Sequence, residues 1–210
     1  MAQSIENRHI GPKAARLSVA LGFLFALASS AAAESGGQPG AFTQFGVGAR
    51  ALGMGGAFYA IADDATAAYW NPAGLAYLQR KEFTTMQATL FQQTNYTYMG
   101  YAHPTATKGT FALGMTQLIS GGFEKVDAVF NPTTGEPISI TKNGTFSAKQ
   151  RALGFSWGRE ATETMAFGLS LKQITRQLDS SADNTLALDI ATMKNFGTTY
   201  RLALGMQNVF

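Results

Sequence analysis

From Phe83 onward, bulky apolar side chains recur at every second residue. A β-strand points successive side chains to opposite faces, so a period of two gathers them on one side of a sheet. Seven runs carry the pattern: 83–91, 95–103, 109–118, 146–157, 164–176, 185–192 and 199–208. The third sets Phe111, Leu113 and Met115 against Ala112, Gly114 and Thr116. The fifth sets Met165, Phe167, Leu169 and Leu171 against Ala166, Gly168, Ser170 and Lys172. The fourth, sixth and seventh repeat it, with Asp189 and Arg201 on the small or polar side, whereas the first two alternate less cleanly.

Two architectures produce such strands: a soluble sandwich, or a transmembrane barrel with lipid outside. Length favours the barrel, because about 9–11 tilted residues cross a bilayer while strands average about 5–6. Charged residues make up 14% of the chain, below the ~25% usual for soluble domains. With the first strand rising from the periplasm, the external connections are 92–94, 119–145 and 177–184, and the internal ones 104–108, 158–163 and 193–198. Short internal turns and longer external loops are the habit of outer-membrane barrels. Trp157 falls at the internal end of its strand, where an aromatic girdle belongs. Lys149 and Arg151 share its parity at the external end, within reach of headgroup phosphates. The expected fold is an all-β antiparallel transmembrane barrel.

Single-chain bacterial barrels are even-numbered, so seven strands are one short. Either a strand is hidden in 119–145, at Glu124–Phe130 or Ile138–Thr141, or the chain is part of a longer one. Phe210, after alternating Tyr200, Leu202, Leu204 and Met206, imitates an aromatic C-terminal assembly signal.

Residues 1–33 read as a cleaved export signal. Arg8, Lys13 and Arg16 precede the apolar run Leu17–Leu27, and Ala31-Ala32-Ala33 supplies a cleavage site before Glu34. Its removal takes three of the 16 basic residues and one of the 13 acidic ones, leaving a net charge of +1. That balance gives no electrostatic basis for binding nucleic acid. Residues 34–82 then form an N-terminal plug segment ahead of the strands of 83–210.

Within that segment, 41–77 is rich in Gly and Ala and does not alternate. Gly53, Gly55 and Gly56 permit positive φ and close backbone approach. Asp64 suits the N-cap of a short helix Ala65–Trp70, and Asp63 would favour its positive end. Asn71-Pro72 ends the helix, because residues before proline avoid αR, and Gly74 permits the next turn. Four elements, Gly48-Ala49-Arg50, Met54-Gly55-Gly56-Ala57, Ala62-Asp63-Asp64-Ala65 and Trp70-Asn71-Pro72-Ala73-Gly74-Leu75, occur in this order and spacing. In these 30 or so residues the chain resembles the PorV/PorQ family of outer-membrane proteins, within the FadL-like group of fatty-acid transporters. That resemblance implies a fourteen-stranded barrel with the N-terminal segment folded into its lumen as a hatch. Seven strands would be half of it, and Gln207-Asn208 an internal position. The implied hatch residues are Arg50, Gly55, Gly56, Asp63, Asp64, Trp70, Asn71, Pro72, Ala73 and Gly74, acting by fixing the plug rather than by chemistry.

Other chemistries find little support. Without cysteine there is no disulfide, thiolate metal site or cysteine nucleophile. Neither Gly46-Val47-Gly48 nor Gly53-Met54-Gly55-Gly56 completes a nucleotide-binding motif. Asp63-Asp64 lacks the further oxygen ligands of a calcium site, so no metal or cofactor is expected. His103, placed at a turn before Pro104, pairs with no serine motif, and no enzyme activity is expected. Asn95 and Asn143 stand in glycosylation-like triplets that read as turns, and Tyr96, Tyr98 and Tyr101 read as an aromatic girdle. The resemblance implies residence in the outer membrane of a Gram-negative-type bacterium, with membrane lipid as a partner. It implies a role in type IX protein secretion or outer-membrane assembly, with secreted cargo or secretion components as further partners. The alternative is a FadL-like passive conduit for fatty acids or other hydrophobic small molecules, suited to the weakly charged inward face.

Overall fold

The computed structural model describes residues 40–91 and 93–209. The export signal, most of the entry segment after it, and Phe210 lie outside the described residues. A 3₁₀ turn at Ala41–Gln44, helix α1 (Ala49–Gly53), helix α2 (Ala67–Trp70) and a 3₁₀ helix at Pro72–Tyr77 come first. Seven strands follow: β1 (Glu82–Thr89), β2 (Thr94–Thr105), β3 (Gly109–Phe130), β4 (Pro137–Thr162), β5 (Met165–Leu178), β6 (Ser181–Phe196) and β7 (Tyr200–Val209). They form one sheet in sequential order, every neighbouring pair antiparallel. No helix among the described residues is long and apolar enough to cross a membrane.

The alternation maps onto the two faces. On β5, Ala166, Gly168, Ser170, Lys172 and Ile174 are buried, while Phe167, Leu169 and Leu171 are exposed. The same division runs through Ala112, Thr116, Ala152, Ser156, Ala187, Asp189 and Ala191 on the buried side. Opposite them, Leu113 is 59% exposed, Leu171 53% and Met206 64%. Water-facing sheets have the reverse arrangement, with bulky residues in the core and polar ones outside. The buried face, here called inward, is covered by residues 41–78.

That segment touches strands at both edges of the sheet. Glu82 on β1 accepts a hydrogen bond from the Ala65 N–H at 3.1 Å. Gln207 on β7 donates to the carbonyls of Tyr69 and Trp70 at 3.2 and 2.7 Å. Laid flat, seven strands would hold β1 and β7 about 29 Å apart. A span of five residues, most of it helical, reaches roughly 8 Å. The sheet therefore curls around the segment.

The strands run further than the sequence reading gave them: β4 reaches Thr162, β6 reaches Phe196, and the expected connection 177–184 shrinks to a turn between Leu178 and Ser181. Residues 119–145 are not one long loop: 119–130 and 137–145 prolong β3 and β4 into a paired ladder ending at Phe130↔Pro137, with a turn at 131–136. Glu124–Phe130 and Ile138–Thr141 are thus parts of existing strands, not an eighth. Register shifts at Ser120/Phe123 and Glu124/Val126, beside Gly121-Gly122 and Asn143-Gly144, explain why the alternation breaks there. Asn95 and Asn143 lie in strands rather than turns, and His103 lies near the end of β2, its Nδ1 3.2 Å from the Tyr101 hydroxyl.

Candidate functional site

The inner segment is assembled around a tight corner. Asn71, fully buried, has extended backbone and ends α2. Its side-chain oxygen accepts from the Ala73 N–H at 3.0 Å, and its amide donates to the Tyr59 carbonyl at 2.8 Å. Pro72 opens the following 3₁₀ helix, where a missing N–H costs nothing. Gly74 has ordinary φ, contrary to a role in permitting a turn. A Cβ there would collide with the Ala62 carbonyl, so the residue is glycine for close approach.

The corner sits in a seat made by two cross-strand partners, Gly158 on β4 and Gly168 on β5. A Cβ on Gly158 would meet the Pro72 carbonyl and Leu75. One on Gly168 would meet backbone atoms of Pro72 and Ala73. Around this seat, inward polar side chains hold the segment's backbone and the Tyr77 side chain. Ser156 Oγ lies 2.8 Å from Ser170 Oγ and donates to the Ala68 carbonyl at 3.3 Å. Asn195 donates to the Tyr77 hydroxyl at 3.2 Å and accepts from Arg201, whose guanidinium lies 4.6 Å from the Tyr77 ring centre. The Tyr98 hydroxyl donates to the Ala65 carbonyl at 3.4 Å.

The helix expected at Ala65–Trp70 is shorter, Ala67–Trp70, with Thr66 at its N-cap. Asp64 works one step earlier, accepting from the Thr66 N–H at 2.8 Å and from its hydroxyl at 2.5 Å. Asp63 does not serve the helix end: its Oδ1 lies 2.5 Å from Arg50, which is 3.9 Å from Asp64. The hydrogen bond that Arg50 donates to Asp63 raises its pKa. The same guanidinium lies 5.1 Å from the Phe58 ring centre. The Trp70 indole donates to the Val47 carbonyl at 2.8 Å and meets Phe58 and Tyr69 edge to face. Tyr69 donates to the Thr43 carbonyl and accepts from the Gly46 N–H. Gly55 and Gly56 take φ of 64° and 79° in the loop that closes α1. Gly53 has neither positive φ nor a close neighbour.

All ten expected residues therefore lie in the inner segment. Asn71, Pro72, Ala73 and Gly74 form its seated corner, Arg50, Asp63 and Asp64 an ion-pair cluster on its exposed side, and Trp70 the link between. Tyr96 and Tyr98 are not girdle residues. Both are buried on the inward face, 1% exposed, while Tyr101 faces outward.

The sequence reading missed the wall's half of the site: Gly158, Gly168, Ser156, Asn195 and Gln207. Inward parity was the signal that could have found Ser156, Gly168 and Gln207, whereas Gly158 and Asn195 fall in stretches read as connections, 158–163 and 193–198, that the structure makes part of β4 and β6. It also missed the pairing of Lys172 with Asp189, 2.6 Å apart and buried in the wall. Burial and then the Asp189 charge push the nearby Tyr59 phenol up to about 12. No family model, curated protein or solved structure matches the chain.

Proposed function

We propose that the chain is an integral outer-membrane β-barrel protein with residues 41–78 held as a fixed plug against its wall. In this reading it is of the PorV/PorQ type, serving type IX secretion or outer-membrane assembly. One observation carries the membrane part: bulky apolar residues dominate the outward face from β3 to β7, while the inward positions of those strands are mostly small or polar. In water such a face would drive aggregation; against acyl chains it costs nothing. The distance from Arg151 to Arg159 on β4 supports it, because outward positions between them are Leu153, Phe155 and Trp157, a nine-residue span suited to a bilayer. The secretion part rests on the resemblance of residues 46–76, and the seating of that segment supports a plugged scaffold over an open pore.

A conduit for hydrophobic solutes is the second reading, favoured by inward rows of Ala, Gly, Ser and Thr. Deleting the gene in its own host separates the two. Loss of type IX cargo from the cell surface, with fatty-acid uptake unchanged, supports the first. Normal cargo with impaired uptake supports the second and overturns the first.

A further inference from the structure

The outward face carries one feature that a plain lipid-facing wall does not need. Between two rows of bulky residues runs an apolar groove of about 560 Å³, spanning β1 to β6 and lined by Phe83, Leu113, Leu153, Phe155, Leu171 and Leu186. Its floor is the backbone of Gly100, Gly114 and Gly154, in register on β2, β3 and β4 at positions whose side chains would point inward. That volume lies within the roughly 300–1,000 Å³ of small-molecule sites.

Along β4, the two outward residues beyond Leu153 are Arg151 and Lys149, both exposed. Residues two apart on a strand are about 7 Å apart and share a face, so the two cations flank one point on the rim of the groove. Neither makes an ion pair among the described residues. Their outward neighbours are Gln117, Ile119, Thr175, Gln177 and Asn184, none acidic. The next outward carboxylate on β3, Glu124, is held by Lys142 at 2.7 Å. Two uncompensated cations with amide and hydroxyl neighbours form an anion site, and the groove beside them accepts hydrocarbon. The ligand that presents both is an amphiphile with a phosphate head.

We propose that this face binds an anionic membrane lipid, its phosphate between Lys149 and Arg151 and an acyl chain in the groove below. The inference rests on the membrane reading and adds a lipid preference to it. Each cation near a membrane surface adds about five-fold to binding of an anionic headgroup.

The test uses the full chain in vesicles of phosphatidylcholine with a minor fraction of phosphatidylglycerol. Trp70 and Trp157 are replaced by Phe and Leu153→Trp supplies one reporter beside the groove. Bromine on the acyl chains of one lipid at a time gives the local enrichment of each. Brominated phosphatidylglycerol should quench well beyond its bulk share, and Lys149→Gln with Arg151→Gln should bring quenching back to that share. Tens of millimolar inorganic phosphate should leave the preference in place. Equal quenching by the two lipids overturns the lipid site alone, as does a preference that survives the double substitution or is abolished by phosphate. Absence of quenching by either lipid removes the membrane reading as well.

Discussion

The two faces of this one sheet obey opposite rules. Inward, the wall is built for contact: Gly158 and Gly168 admit the Asn71-Pro72 corner, Ser156 and Gln207 reach backbone carbonyls of the short helix, and Asn195 holds the Tyr77 hydroxyl. Outward, Leu113, Phe155, Leu171 and Met206 touch no such partner and stand exposed. Position-specific fit governs the first face, bulk apolarity the second. The inward side should therefore be sensitive to a single methyl group, whereas the outward side should tolerate changes of shape and reject charge.

Gly168→Val should do the most damage. Its Cβ would meet backbone atoms of Pro72 and Ala73, which cannot swing aside as a flexible side chain could. About 3 kcal/mol of stability should be lost, with proteolysis newly admitted within 41–78. Leu113→Arg should follow, costing about 2–4 kcal/mol in a bilayer and leaving the inner segment protected. A change within about 0.5 kcal/mol would place that face in water. Asn71→Ala leaves the buried Ala73 N–H and the half-buried Tyr59 carbonyl without their partner, and about 2 kcal/mol should be lost in urea unfolding. Arg50→Ala should cost under about 1 kcal/mol by the same measurement, because the Arg50–Asp63 pair is half exposed.

The outward pattern was legible because it needs only a period of two and a choice of parity, which Phe167-Gly168-Leu169-Ser170-Leu171 states unambiguously. It stopped being legible at Gly121-Gly122 and Asn143-Gly144, where bulges shift the register and the continuation of β3 and β4 reads as loop. The inner segment was legible in its own turns, since Asn71 before Pro72 closes α2 as local chemistry requires. What those turns dock against was not. Gly158 meets Pro72 across 86 residues of chain, and Gln207 meets Trp70 across 137. No local rule links such positions. Asp63 shows the same limit on a smaller scale: read as a helix-end charge, it is drawn instead to Arg50, thirteen residues earlier.

The chain supplies its own reporters for the central contrast, because Trp157 stands on the outward face and Trp70 on the inner segment. Trp70→Phe leaves the first as the sole tryptophan, and Trp157→Phe leaves the second. In vesicles whose acyl chains carry bromine, lipid cover predicts strong quenching of Trp157 and nearly none of Trp70. Equal quenching of the two, or a folded polypeptide that stays in solution and is quenched at neither, would contradict it.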